Sequence, residues 1–258
     1  MAEEIRKFFQ TAHGSWWYGR CRAGTGAAMV LLCRQLDAPD THIFSERRKI
    51  KTGSTGNCFV KRYNLPGIFT QLRRLLKTPR PLTVMRGAAF LHDNGIPTPR
   101  VLAAMAEFNG LRRREYLITE LLTPADTLLN ILAKELSAEE FSKLLMEKFI
   151  PMLAKMHHAG AIHGDLSLRN LYRTGCGEAG LIDLDGIEIG RKPVKKPARA
   201  KEVARLISSY IIVCAPEANS RQLAETAVKA YENASGITLP LEYILQTMDK
   251  FISRRKKQ

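Results

Sequence analysis

No run in this sequence reaches the ~18 uninterrupted apolar residues that a membrane-spanning helix requires. The longest candidates, residues 27–33 and 206–215, fall short, and the second is broken by Ser208 and Ser209. Cysteine is sparse: Cys21, Cys33, Cys58, Cys176 and Cys214 are odd in number, scattered and without any C-x-x-C spacing. That pattern argues against a disulfide framework or a zinc site and for reduced thiols. The histidines His13, His42, His92, His157 and His158 lack metal-ligand companions at a useful spacing, so they read as surface or packing residues. No glycine-rich loop ends in Gly-Lys-Ser/Thr, which excludes a Walker-type phosphate cradle. There is no internal repeat and no low-complexity tract. The amino terminus, Met1-Ala2-Glu3-Glu4, carries acid where a signal peptide carries base, and no apolar core follows it, so the expected compartment is the cytoplasm. Asn233-Ala234-Ser235 matches a glycosylation acceptor, which is incidental in a chain of that compartment.

With 258 residues, 45% of them hydrophobic, the chain is long enough for two modest domains or one two-lobed domain and too apolar to be disordered. Positive charge is present in excess: 40 Lys+Arg against 25 Asp+Glu leave a net charge of +15. Residues 1–120 hold 20 basic and 9 acidic side chains, so most of the excess lies in the first half. An anionic partner follows, and charge alone leaves nucleic acid, anionic lipid or glycolipid, and nucleotide phosphate open.

Residues 1–40 read as an amino-terminal extension, with Trp16-Trp17 as its packing anchor or as an aromatic patch. From Thr41 the runs 41–44, 48–51 and 58–63 read as consecutive antiparallel strands, with Gly53-Ser54-Thr55-Gly56-Asn57 as a hairpin turn. Helices are predicted over residues 68–76 and 82–92, set apart by Pro79 and Pro81. Two further strands, 101–105 and 116–122, flank the turn-like Asn109-Gly110. Beyond Thr123-Pro124 the chain turns helical: Ser137 and Glu140 form a capping box, and apolar residues follow at helical spacing to Met156, with a kink or break at Pro151. The expectation is an α+β chain, with a small antiparallel-sheet lobe over 1–122 and a helical lobe over 123–258.

The chemistry concentrates in His163-Gly164-Asp165-Leu166-Ser167-Leu168-Arg169-Asn170 and in Leu181-Ile182-Asp183-Leu184-Asp185-Gly186. Phosphoryl transfer from ATP accounts for these polar residues together. It needs a carboxylate to orient or deprotonate the acceptor hydroxyl, here Asp165, and oxygen ligands for magnesium, here Asn170 and Asp183. A five-residue step from Asp165 to Asn170 suits a tight loop, and His163 is then a scaffold residue.

His-x-Asp-x-x-x-x-Asn followed by Ile-Asp-Leu-Asp resembles the catalytic and metal-binding loops of the protein-kinase-like superfamily. Upstream, Phe59-Val60-Lys61 resembles the third-strand lysine motif, which implies that Lys61 contacts the α- and β-phosphates. Residues 118–122 fall at the lobe hinge, with Glu120 and Leu122 as adenine-contacting positions. Residues 60–64, 86–89 and 95–100 make the chain most similar to the lipopolysaccharide core kinases, bacterial enzymes that phosphorylate Kdo or heptose sugars. That resemblance implies a two-lobed kinase fold, ATP and Mg2+, an anionic glycolipid acceptor rather than nucleic acid, and peripheral contact with the inner membrane.

The departures carry expectations of their own. Gly164 stands where the superfamily has an Arg, which removes the reader of a phosphorylated activation loop. The phosphate-covering turn, Ser45-Glu46-Arg47-Arg48, has no glycine, so Arg47 and Arg48 would replace backbone contacts. No acid lies between Thr78 and His92 to meet Lys61, whose partner is unassigned. Asp185 is either a further metal ligand or a structural residue. Glu202 is either a brace for the catalytic loop or a surface acid. Arg191, Lys192, Lys195, Lys196 and Arg199 form either an acceptor-binding segment or a mobile basic loop. Two other functions compete: an atypical protein kinase or aminoglycoside-type small-molecule kinase, and a non-catalytic kinase-like module.

Overall fold

The computed structural model describes residues 5–12, 14–65, 67, 69–71, 77–110, 112–122, 127–128, 136–173, 176–214 and 216–255. The chain divides into two compact units, residues 1–88 with 99–122 and residues 89–98 with 123–258. The fold is α+β. Among the described residues no helix is long and apolar enough to cross a membrane, and no disulfide forms.

The first unit is built on one antiparallel sheet of seven strands: β1 (Ile5–Ala12), β2 (Ser15–Arg22), β3 (His42–Arg47), β4 (Ile50–Thr55), β5 (Cys58–Asn64), β6 (Val101–Asn109) and β7 (Arg112–Glu120). Their order across the sheet is β1-β2-β6-β7-β5-β4-β3. The stretch read as an amino-terminal extension therefore supplies two strands of the main sheet. Strand β2 alternates buried and exposed residues along its length, the period-2 signature of a strand with one covered face. The covering element is α1 (Gly26–Gln35), whose Val30 and Cys33 pack with Leu36, Trp17, Cys21, Val60, Met105, Tyr116 and Ile118 in one core. Of the tryptophan pair, Trp17 is 1% exposed and is the packing anchor, whereas Trp16 points to solvent.

The hairpin between β4 and β5 is tighter than the sequence suggests. The strands run to Thr55 and restart at Cys58, leaving a two-residue turn, Gly56-Asn57, with Gly56 at φ +56°. Gly53 is a strand residue. Helix α2 (Arg80–Asp93) forms over the region predicted at 82–92; residues 69–71 are helical, and the rest of the helix expected over 68–76 lies outside the described residues.

The second unit is mainly helical. Helix α3 (Ala138–Leu144) starts on the capping box, with Ser137 Oγ accepting from the Glu140 N–H and Glu140 accepting from the Ser137 N–H at 2.8 Å. Pro151 does not break the chain. Lacking an N–H and crowding the carbonyl four residues back, it is accommodated by one π turn, Leu145–Phe149, ahead of α4 (Ile150–Ala159). Short strands β8 (Ala161–Ile162), β9 (Leu171–Arg173), β10 (Ala179–Leu181) and β11 (Glu188–Ile189) follow, pairing β9 with β10 and β8 with β11. The chain ends in α5 (Lys196–Cys214), α6 (Ser220–Ser235) and α7 (Leu241–Arg255), with α4 packed on α6 and α5 on α7.

The two tryptophans give a paired test of this topology. Trp17→Ala should cost about 3–5 kcal/mol in denaturant unfolding, because it empties the core under α1. Trp16→Ala should stay within about 0.5 kcal/mol of the parent, as expected of a solvent-facing site.

Candidate active site

The loop after β8 is held from below by one buried carboxylate. Glu202, on α5 and 3% exposed, accepts the His163 N–H at 3.0 Å and the Gly164 N–H at 2.7 Å. Its Oε2 also meets His157 Nε2 at 3.2 Å, which makes Nε2 the protonated nitrogen, since a carboxylate only accepts. His157 Nδ1 then accepts from the Tyr231 hydroxyl at 2.9 Å, and that oxygen accepts from Arg199 Nη1 at 3.1 Å. Glu202 is the brace, not a surface acid.

His163 is fully buried and donates through Nε2 to the Ile182 carbonyl at 2.9 Å, tying the loop to the segment after β10 that carries Asp183. It is a scaffold residue. Gly164 has φ +83°, and a Cβ there would lie 2.3 Å from the Gly186 carbonyl oxygen. The glycine that replaces the superfamily's Arg is thus required by a close backbone crossing between the two loops.

Asp165 is two-thirds exposed, with Oδ1 engaged by Arg205 Nη2; Arg205 Nη1 donates to the Gly164 carbonyl at 2.6 Å. The Arg205 guanidinium lies 5.3 Å from the centroid of the Phe251 ring. Asn170 closes a 3-10 turn, Leu168–Asn170, and its Nδ2 donates to the Asp165 carbonyl at 2.8 Å. A carbonyl only accepts, so the amide orientation is fixed and Oδ1 is the atom left for a cation. The Asn170 carbonyl accepts from the Ile182 N–H at 2.9 Å, a second tie to the segment that follows β10. Asp183 has φ 59° and is the only non-glycine residue in left-handed backbone among those described. This exposed carboxylate is held between β10 and a 3-10 turn over Leu184–Gly186, in a backbone conformation that costs free energy unless its surroundings impose it.

The oxygen donors Asn170 Oδ1 and Asp183 suit a hard divalent cation, which takes one or two carboxylates and completes its shell with phosphate and water. Among the described residues no cluster of three or more His, Cys, Asp or Glu could hold a metal by itself.

The remaining predicted positions lie in the first unit. Lys61 on β5 is buried, stands opposite Thr52 and Leu117, and has Nζ 5.3 Å from the Tyr63 ring centroid. The turn read over Ser45–Arg48 is displaced: Ser45, Glu46 and Arg47 pair with β4 as the end of β3, and the turn is Arg48-Lys49, with Arg47 and Arg48 both exposed. Glu120 is a clamp on the backbone of Arg100, accepting the Arg100 N–H on its carboxylate at 2.8 Å and donating its own N–H to the Arg100 carbonyl at 3.0 Å. Its N–H is thus committed to Arg100, and its carbonyl accepts from the Thr119 hydroxyl at 2.9 Å. Sequence reading missed the ring pair Phe44–Phe59, stacked at 5.9 Å. Phe59 is two residues from Lys61 on one strand and shares its face, a signal that alternation along β5 carried.

The basic segment after β11 is not a mobile loop. Its backbone is fixed to the end of α4, with the Gly190 N–H donating to Gly160 and the Val194 N–H to His157, both at 2.9 Å. Arg199, proposed as part of an acceptor site, is 2% exposed and bonds the Val194 carbonyl at 2.6 Å and Tyr231. It is structural, leaving Arg191, Lys192, Lys195 and Lys196 exposed.

The model of the Lipopolysaccharide kinase (Kdo/WaaP) family matches residues 45–229. A protein of Stenotrophomonas maltophilia (strain R551-3) named 3-deoxy-D-manno-octulosonic acid kinase is 25% identical over 220 residues, 74% of this chain and 83% of that protein. Proteins of the same name from Vibrio vulnificus are 35% identical over 96 residues (strain CMCP6; 37% of this chain, 39% of that protein) and 30% identical over 133 residues (strain YJ016; 49% and 54%). The match thus spans about half or less of the length of these two Vibrio vulnificus proteins.

Two outcomes test this construction. Burial holds the His157 imidazole below its ordinary 6.5, with Arg199 adding to the effect and Glu202 opposing it. Burial would raise Glu202, but the bond from His157 and the backbone N–H of His163 more than offset it, leaving it below its ordinary 4.5. Both groups are depressed in the folded state, so the stability they contribute is present above the unfolded values and is lost as pH falls. The thermal midpoint should start to fall below about pH 6.5 and fall further below about 4.5; His157→Gln should abolish the first part and keep the second. Gly164→Arg, which restores the superfamily residue, should destabilise by at least about 1–3 kcal/mol through left-handed strain plus the clash with Gly186.

Proposed function

The chain belongs to the lipopolysaccharide kinase (Kdo/WaaP) family, and from that membership we propose that it transfers the γ-phosphoryl group of ATP to a sugar hydroxyl of the lipopolysaccharide core. Kdo is preferred over heptose as the acceptor, because the relatives' names specify 3-deoxy-D-manno-octulosonic acid. The observation that carries the reading is the exposed Asp165 carboxylate on a loop whose backbone is fixed by Glu202, with Asn170 Oδ1 and Asp183 presented by the same pair of tied loops.

In this mechanism Asp165 orients the acceptor hydroxyl and takes its proton as the sugar oxygen bonds to the γ-phosphorus and the bond to the β-bridging oxygen breaks, releasing ADP. Arg205 occupies Oδ1 and so directs the other carboxylate oxygen to the hydroxyl. Asn170 Oδ1 and Asp183 would hold Mg2+, which when bound neutralises phosphate charge. Lys61 contacts the α- and β-phosphates, the Phe44–Phe59 pair offers a stacking surface for the base, and Arg47 with Arg48 contacts phosphate from the glycine-free turn. The lobe of residues 1–122 binds nucleotide and that of 123–258 carries the catalytic and metal loops. The exposed cations Arg191, Lys192, Lys195 and Lys196 attract the anionic glycolipid, which supports peripheral contact with the inner membrane.

The test is transfer of labelled γ-phosphate from Mg·ATP to purified core acceptors ending in Kdo or heptose, with proteins and aminoglycosides in parallel. Label should appear on the Kdo acceptor and fall by about 10^2–10^4 in Asp165→Ala, the range of a lost general base, with the unfolding midpoint retained. Label confined to protein or aminoglycoside would assign a different acceptor class. Nucleotide binding without transfer would make the chain a non-catalytic module.

A further inference from the structure

The register of the sheet sorts its side chains into two faces, and α1 packs over β2 on one of them. Trp17 and Cys21 of β2 turn towards α1. The opposite face carries Lys61, and through Lys61↔Leu117, Leu117↔Ala104 and Ala104↔Arg20 it continues onto β6, β2 and β1. At the β6-β2-β1 end it presents Phe108, Trp16, Tyr18 and Phe9, with Phe9 67% and Trp16 66% exposed. Three of these rings form a continuous row, Phe9 stacked on Tyr18 at 6.1 Å and Tyr18 against Phe108 at 6.3 Å. Lys7 Nζ sits 5.0 Å from the Phe9 ring centroid, and Arg20 and Arg22 follow Tyr18 along the same face of β2. No acidic side chain of β1 or β2 lies on this face.

We propose that this aromatic and cationic face of β1 and β2 docks the protein on an anionic phospholipid bilayer. The surface is a sheet face from which large rings stand out, suited to entering a headgroup layer, where amphipathic aromatics concentrate. Lys7, Arg20 and Arg22 border the rings on one side, so the charge complements anionic headgroups. A second copy of this chain is the poorer occupant, because two such faces bring like charges together in a protein of net charge +15. The face belongs to the first unit and the loops carrying Asp165 to the second, and the family match, residues 45–229, leaves β1 and β2 outside it. The choice of a bilayer rests on the glycolipid acceptor proposed above; the surface itself does not.

Sedimentation with vesicles of phosphatidylglycerol and phosphatidylethanolamine, against vesicles of phosphatidylcholine alone, tests the assignment. The full chain should bind the anionic vesicles only, less so as salt rises. Phe9→Ser with Trp16→Ser should weaken that binding by at least about tenfold, since burying an aromatic ring contributes on the order of the 1.4 kcal/mol that a factor of ten requires. Lys7→Glu with Arg20→Glu should weaken it and flatten its salt dependence. Val213→Ser with Tyr243→Ser, at exposed apolar positions elsewhere, should bind like the parent. Each variant is first checked for a cooperative thermal transition, and the two pairs are independent should one fail to fold. Parental vesicle binding by both folded face variants would overturn the proposal, as would no vesicle binding by the parent. So would a concentration-dependent dimer, seen in sedimentation velocity, that dissociates in the Phe9/Trp16 variant. Phosphate transfer to a detergent-dispersed or soluble acceptor should be unchanged in the face variants. Absence of that transfer in the parent would remove the kinase reading while leaving vesicle binding as it stands.

Discussion

The Glu202 carboxylate is the interaction on which the second unit depends. A buried carboxylate is costly unless every oxygen is satisfied, and this one is satisfied by the two backbone N–H groups that open the catalytic loop and by the His157 imidazole. Through His157 the network reaches Tyr231 and Arg199, so α4, α5 and α6 meet at one hydrogen-bonded chain. The helical packing and the loop geometry are therefore one construction: moving α5 moves the backbone on which Asp165 stands.

A second constraint is backbone crowding. Gly164 and Gly186 cross so closely that neither the catalytic loop nor the Asp183 element can shift alone, and the His163 and Asn170 bonds to Ile182 close the same seam. The strain at Asp183 is sustained by this seam. The backbone that carries Asp165, Asn170 and Asp183 is thereby held with little freedom, the kind of preorganisation on which electrostatic catalysis relies.

The first unit shows how one sheet serves two purposes. One face is sealed by α1 over Trp17 and Cys21, and the other carries Lys61 and the Phe44–Phe59 pair at one end and an aromatic, cationic row at the other. The basic excess of the first half also has an internal use: Lys51 and Arg62 both bond Asp37, and although burial alone would raise that carboxyl, these partners hold it below the ordinary carboxylate range.

The sequence by itself determined what depends on local spacing. The loop from His163 to Asn170, the strand alternation around Lys61, the capping box at Ser137 and the α+β division are each written within a few consecutive residues, where turn chemistry and periodicity act. Whether a short run such as residues 5–22 is an extension or part of a sheet is not local, because a strand is fixed by partners it meets only after folding, here β6, more than 80 residues on. Tertiary structure alone decided the rest. Glu202 and Arg205 reach the catalytic loop from 38 to 41 residues away, Arg199 turned inward from an otherwise exposed basic segment, and Gly164 proved necessary only once Gly186 lay against it. A carboxylate or guanidinium carries the same charge wherever it stands in the chain; its role is set by the groups that burial brings to it.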